Sequence, residues 1–305
     1  MHHSPHRIGL YSAGRRALRS ASRPAPIIGR AVLVLVTAVA CSVGSMNNTS
    51  AADVTINRSP ASNAQPAIGI IIDDLGNLEQ RDLRAIRLPG AITYAFLPYT
   101  PHSRDLASLA HRLNKEVMLH LPMESMEHDR LGPGGLTLNM TYREFARQLA
   151  SDLAAIPYAV GINNHMGSLL TQHPGYMQWL MGELNKRRDL YFVDSYTTKA
   201  SIAQQLANEN WIPNLRRDVF LDSDRNPDTI RFHLRRLIKK ARQHGTALAI
   251  GHPFPETMAV LEAELPKLRQ QGITLLPVSQ LVHRTLERSK SWQAYLSPSH
   301  KVAKN

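Results

Sequence analysis

Two kinds of apolar pattern alternate along this chain. Short, largely apolar segments that read as strands fall at 67–73, 91–97, 116–121, 158–162, 190–194, 217–221, 246–251 and 273–277. Between them lie stretches with apolar residues three and four apart, at 79–87, 103–114, 141–155, 174–188, 200–209, 227–244 and 256–271, with one more at 278–286. The first pattern predicts strands and the second predicts helices. Thr141 and Glu144 have the spacing of a capping box ahead of Phe145, Leu149 and Leu153. Gly245 and Gly272 stand where helix C-caps belong. Strict alternation of strand and helix predicts an α/β fold, with a parallel sheet and helices outside it. With seven or eight strands, a barrel or distorted barrel is expected.

The ends of the strand-like runs carry the candidate chemistry. The most apolar run, Ala67 to Ile72, delivers Asp73 and Asp74. Two acids at the end of a buried strand repel each other and lose solvation, which a metal ion or a shared proton offsets. A turn at Asp73 and a helix cap at Asp74 is the plainer reading of the pair. Four more runs end in His120, in Asn163-Asn164-His165, in Asp194 and in His252. Taken singly, each is an ordinary turn or core residue. In a parallel barrel these ends converge on one rim. Carboxylate and imidazole together make a first shell suited to zinc or a similar divalent ion, with a position left for water. The long segment Glu124–Asn139, with Gly132-Pro133-Gly134-Gly135, is expected to lie over that rim.

The net charge of +12 invites a nucleic-acid reading until it is located. Residues 1–52 hold six arginines and no acid, and the segment 286–305 is also basic. The central region is close to neutral, so no nucleic-acid surface is indicated. Residues 1–52 read as an export signal or N-terminal anchor: a basic segment, an apolar run from Ala31 to Ala40, then small residues ending at Ala51-Ala52. This predicts a periplasmic or otherwise extracytoplasmic location, with membrane association through the N-terminus left open. Residues 53–66 read as a linker, 67–285 as the barrel and 286–305 as a basic, disordered tail. Cys41, the sole cysteine, lies in the leader, so disulfides and thiolate ligands are excluded from the barrel.

The ordered set Ile71-Ile72-Asp73-Asp74-Leu75-Gly76, His120-Leu121-Pro122-Met123-Glu124, Asn163-Asn164-His165-Met166-Gly167-Ser168, Val193-Asp194-Ser195 and Gly251-His252-Pro253 resembles the divergent polysaccharide deacetylases. These form a branch of the carbohydrate esterases with the NodB-type fold. The resemblance spans roughly Ala67 to Val282 and implies a distorted (β/α)7 barrel. It further implies Asp73 as general base, Asp74 as metal ligand and His252 as general acid. In the wider family two histidines four residues apart bind the metal. Here that spacing holds His120 and Glu124, so His165 is expected to supply the second imidazole, with Glu124 an alternate ligand or a partner to the ligands. Asp194 would orient a neighbouring imidazole or the base. Arg217 is read either as a substitute for the family's missing arginine or as a surface residue, and Asp222 and Asp224 as turn or site residues.

The implied function is an envelope metal-dependent hydrolase that removes acetyl groups from a glycan, peptidoglycan or another envelope polysaccharide, with zinc as the expected ion. The competing expectation is a non-catalytic envelope barrel that binds glycan or protein. The aromatic content of 6% argues mildly against a dedicated sugar-stacking surface.

Overall fold

A computed structural model describes residues 65–127 and 130–296. The expected export leader and most of the expected linker lie outside the described residues. In chain order the elements are β1 (Ala67–Leu75), α1 (Glu79–Ile86), β2 (Thr93–Phe96), α2 (Ser103–Arg112), β3 (Glu116–Met123), α3 (Tyr142–Ala155), β4 (Ala159–Met166), α4 (Pro174–Asn185), β5 (Tyr191–Asp194), α5 (Ala203–Glu209), β6 (Asn214–Arg216), β7 (Val219–Phe220), α6 (Pro227–His244), β8 (Thr246–Gly251), α7 (Pro255–Glu264), β9 (Thr274–Leu275) and α8 (Val278–Leu296).

All strand pairs are parallel, in the order β6-β5-β4-β3-β2-β1-β8-β7, and β9 pairs with the start of β1. The two ends of that order are consecutive in the chain. The Arg217 N–H donates to Asp194 O on β5 at 3.0 Å, and the next N–H, of Asp218, donates to Leu248 O on β8 at 2.9 Å. The strand expected at 217–221 is β7 alone, and a short strand that was not expected, β6, precedes it; the two serve opposite neighbours. The sheet is curled, with seven positions and one of them split, which is the distorted (β/α)7 barrel.

Side-chain alternation sorts the core into two parts. Ile71, Ala95, Met118, Val193, Leu215, Leu248 and Ile250 meet inside the curl, with Tyr191. The intervening residues, among them Ile70, Ile72, Phe96, Leu119 and Phe192, pack outward against the helices. Gly161 makes room inside, because a Cβ there would lie 2.4 Å from the Tyr191 ring. Val278, Leu281 and Val282 of α8 join the inner cluster and close its lower end. The first turn of α8 is tied down by bonds from Val278 N–H to Thr93 Oγ1 and from Ser279 N–H to Glu116.

The clearest local signals hold at α3 and α6. The Thr141–Glu144 capping box is formed on both sides, and α6 runs from an Asn226 cap through Pro227 to Gly245 in the left-handed region. Several boundaries differ from expectation: β4 runs on to Met166, α4 stops at Asn185, α5 starts at Ala203, and Gly272 does not cap α7. The helix expected over 256–271 ends at Glu264, where Pro266 forces a short 3-10 turn. The last helix runs to Leu296, so the first half of the expected disordered tail is helical.

The turn that leaves β1 depends on Gly76. Its φ is +113°, and a Cβ would stand 2.0 Å from Thr100 Oγ1. Gly76→Ala is expected to cost about 2–3 kcal/mol, from left-handed strain plus overpacking. Urea unfolding would measure this, and a midpoint equal to wild type would show that the turn adapts.

Candidate active site

The alternation that builds the inner core also builds the site above it. Two residues beyond Ile71, Met118, Gly161 and Ile250 come Asp73, His120, Asn163 and His252, and His165 follows at the next step on β4. All five face the upper mouth. Asp74 is out of step and would face the helices in a regular strand. A β-bulge between Ile72 and Leu75, with Asp74 at φ +60°, turns it into the same cavity. The bulge is braced by Arg81, whose Nη2 donates to Asp74 O at 2.9 Å, and by Asp82, which accepts from Gly76 N–H at 2.7 Å.

Three atoms then converge. Asp74 Oδ1 lies 3.1 Å from His120 Nε2 and 3.0 Å from His165 Nδ1, and the two nitrogens are 3.2 Å apart. Ligands about 2.0–2.1 Å from a tetrahedral zinc stand roughly 3.4 Å from one another, so this triangle is close to the size a metal requires. The donor chemistry agrees. Asp74 Oδ1 is buried with no aligned hydrogen-bond donor. His120 Nδ1 is occupied by Asn163 Oδ1 at 2.9 Å, which places the proton there and leaves Nε2 with a lone pair. These residues fit a divalent ion, and among the described residues Asp74, His120 and His165 are the group able to hold one.

Asn163 also donates to Asp73 Oδ1 at 2.8 Å, so one buried amide joins a ligand to the expected base. Burial lifts Asp73 above the ordinary carboxylate value, against the pull of the His120 and His252 charges. Burial works on Asp74 in the same direction, but the two imidazoles beside it prevail and hold it well below the carboxylate range. On the other side of Asp74, His252 Nε2 stands 3.7 Å from Oδ2. Burial disfavours a charge on His252, but the Asp222 hydrogen bond and the Asp222, Asp74 and Asp73 charges outweigh it and lift His252 to about 9.

Asp222 is the anchor of His252. Its Oδ1 bonds Nδ1 at 3.0 Å, and its Oδ2 accepts from the His252 N–H at 2.6 Å and from Thr257 Oγ1 at 2.8 Å. The orienting role expected of Asp194 is thus corrected. Asp194 follows inward-facing Val193, so it points away, and it accepts from Ser201 Oγ and the Tyr196 N–H, both at 2.8 Å. Asp222 had the same signal as the other site residues, a strand end, but that strand is split and its register could not be read. Arg217 is half-buried and donates to Ser195 O and Tyr196 O, and its charge acts on Asp73 and Asp194. With its Cζ 4.9 Å from the Phe220 ring centroid, it is tied down and is not a free surface residue.

Glu124 is corrected as well. It lies just past the end of β3, where the chain has left the strand, and its Oε2 accepts from the Leu138 N–H at 2.7 Å. It braces the 124–139 loop and lies outside the ligand group. The loop does reach the mouth. Arg130, Leu131, Gly132 and Pro133 line a cleft of about 330 Å³ that they share with Asp74 and His165. Its far end rests on α3, where a Cβ on Gly134 would touch Asp152 Oδ1 at 2.6 Å.

The chain belongs to the divergent polysaccharide deacetylase family, whose description matches residues 70–282. It is 38% identical over 216 residues to the uncharacterized protein YibQ of Escherichia coli (strain K12), covering 71% of this chain and 67% of that one. It is 34% identical to an uncharacterized protein of Haemophilus influenzae over 67% of this chain and 73% of the other. The crystal structure of an uncharacterized protein from Agrobacterium tumefaciens C58 shares the fold, with a TM-score of 0.69 and 24% identity over 72% of this chain and 91% of that chain.

Two outcomes follow from these contacts. Asn163→Ala frees the His120 ring, and zinc affinity is expected to fall about 10- to 100-fold. Competition against a chromogenic chelator measures it, and unchanged affinity would mean that the amide does not orient the ligand. Asp152 is fully buried, and burial lifts it from 3.8 to about 7 despite the Gln148 hydrogen bond. Between those values the unfolded chain has lost the proton that the folded chain keeps, so stability falls as pH rises across the window and levels above it. Asp152→Asn is expected to flatten that slope in urea titrations from pH 4 to 8. A slope identical to wild type would place its origin elsewhere.

Proposed function

We propose that this protein is a metal-dependent deacetylase that hydrolyses acetyl groups on a glycan of the cell envelope. The observation that carries the reading is the triangle of Asp74 Oδ1, His120 Nε2 and His165 Nδ1, with a free carboxylate on one side and a tethered imidazole on the other. A divalent ion bound there, with zinc the expected one, supplies Lewis acidity that polarises the acetyl carbonyl and makes water a better nucleophile.

The chain's own groups handle the protons. Asp73 Oδ2, 3.6 Å from His120 Nε2, is placed beside the ligands without being needed as one, and it takes the proton from the attacking water. Its raised affinity for protons, from burial, suits it to that task. Asn163 holds the other oxygen of Asp73 and so aims the carboxylate. As the bond from the acetyl carbon to the sugar nitrogen or oxygen breaks, His252 delivers a proton to the leaving atom. Asp222 keeps the His252 ring turned, with Nε2 toward the cavity. The products are acetate and the free amino or hydroxyl sugar.

Location outside the cytoplasm is part of the proposal. It rests on the basic, then apolar, then small-residue order of the first 52 residues and on the absence of cysteine from the barrel. Among the described residues no helix is long and apolar enough to cross a membrane.

Asp73→Asn is expected to keep about one zinc per chain and to lose acetate release by about 10²- to 10⁴-fold. Metal analysis and an acetate assay on N-acetylated oligosaccharides test it together. Full turnover in the variant would remove Asp73 as the base. Glycan binding by wild type without acetate release would favour the non-catalytic barrel.

A further inference from the structure

The side of the site that holds His252 is lined with aromatic rings. Phe220 meets the imidazole edge-on at 5.4 Å and 75°, and Phe254 lies 5.4 Å away, tilted by 33°. Both phenylalanines are partly exposed. On Phe254 rests the guanidinium of Arg225, its Cζ 3.8 Å from the ring centroid. Stacking of this kind uses the flat face of the guanidinium and leaves its in-plane N–H groups unspent.

The neighbouring arginines differ in this respect. Arg217 donates to two backbone carbonyls, and Arg81 is bound to Asp82 and to Asp74 O. Among the described residues Arg225 has no acid or carbonyl partner. Asp224, next in the chain, accepts instead from the Asn226 N–H and Thr229 Oγ1. Across the site, Arg130 also lacks a partner among the described residues and lines the cleft in which Asp74 is the sole acid. Arg130 thus lines the cleft beside two of the ligands, and Arg225 is held on the ring that stands next to His252. The ordering cost of a long side chain, which usually weakens a surface arginine as a binding group, has been met by the stack.

We propose that the site takes acetylated glycans that carry a carboxylate, and that Arg225 receives that carboxylate on the His252 side. The inference rests on the deacetylase reading for the acetyl group, and on Arg225 and Phe254 for the acid. A neutral glycan offers only hydroxyls and acetamides, which a guanidinium binds weakly. A uronic acid or a lactyl ether offers the two coplanar oxygens that its edge matches.

The test compares two disaccharides that differ by one lactyl carboxylate: N-acetylglucosaminyl-N-acetylmuramic acid and diacetylchitobiose. Each is titrated calorimetrically into the zinc-supplied full-length chain at low salt, and acetate release is assayed on the same samples. The acidic sugar is expected to bind about tenfold or more tightly than the neutral one. Arg225→Gln should abolish that preference, and Arg225→Lys, which keeps the charge but not the plane, should retain part of it. Equal affinities, no binding of the acidic sugar, or a preference that survives Arg225→Gln would overturn the proposal. A carboxylate preference that depends on Arg225 without acetate release would sink the deacetylase reading alone. Acetate release from both sugars without preference would sink only the specificity.

Discussion

A regular strand sends neighbouring side chains to opposite faces, so two adjacent aspartates cannot both enter one cavity unless the backbone is bent to allow it. The whole site depends on that bend. One extra residue in β1 puts Asp74 in the left-handed region and swings its carboxylate beside that of Asp73, so that both approach the same nitrogen of His120. Left-handed backbone costs an L-residue roughly 1–2 kcal/mol, and aspartate tolerates it better than most. Arg81 on the Asp74 carbonyl and Asp82 on the Gly76 amide offset the strain locally. What remains is a pair of crowded carboxylates with the imidazoles of His120, His165 and His252 close beside them.

Two of those imidazoles are held by a repeated device. His120 and His252 are each gripped through one nitrogen so that the other is presented to the cavity. Asn163 grips His120 through its amide oxygen, and Asp222 grips His252 through a carboxylate. The choice of partner separates the roles. A neutral amide orients His120 without adding a charge to the ligand group, whereas a carboxylate favours a protonated His252 suited to giving a proton away. The same residue type, at equivalent steps of two parallel strands, is thereby assigned different chemistry by what stands behind it.

Period-two alternation explains what could be read from the sequence and what could not. The strand and helix order was legible because each run is apolar on both faces and bounded by turn residues. Asp73, His120, His165 and His252 were legible because they continue the inward face of their strands. Asp194 misled because it also ends a strand, but one step out of phase with Val193. Glu124 misled because a four-residue spacing carries meaning only while the strand continues, and β3 ends at Met123. Asp222 was ambiguous because the strand ahead of it is broken in two, and Asn163 because an amide that serves two partners leaves no mark in a sequence. Phe220 and Phe254 show that an overall aromatic fraction says little about where the few rings stand.

The split strand has one more consequence. Arg217 and Asp218 donate their amides to opposite edges, so the segment from Asn214 to Phe220 works as a ruler between β5 and β8. Insertion or loss of one residue there would shift one half of the segment by a step against its neighbour, and every side chain beyond the change would exchange inside for outside. A change just ahead of β7 would take Phe220 and Asp222 out of the site together. What this stretch must preserve through evolution is therefore its length, more strictly than the identity of most of its residues.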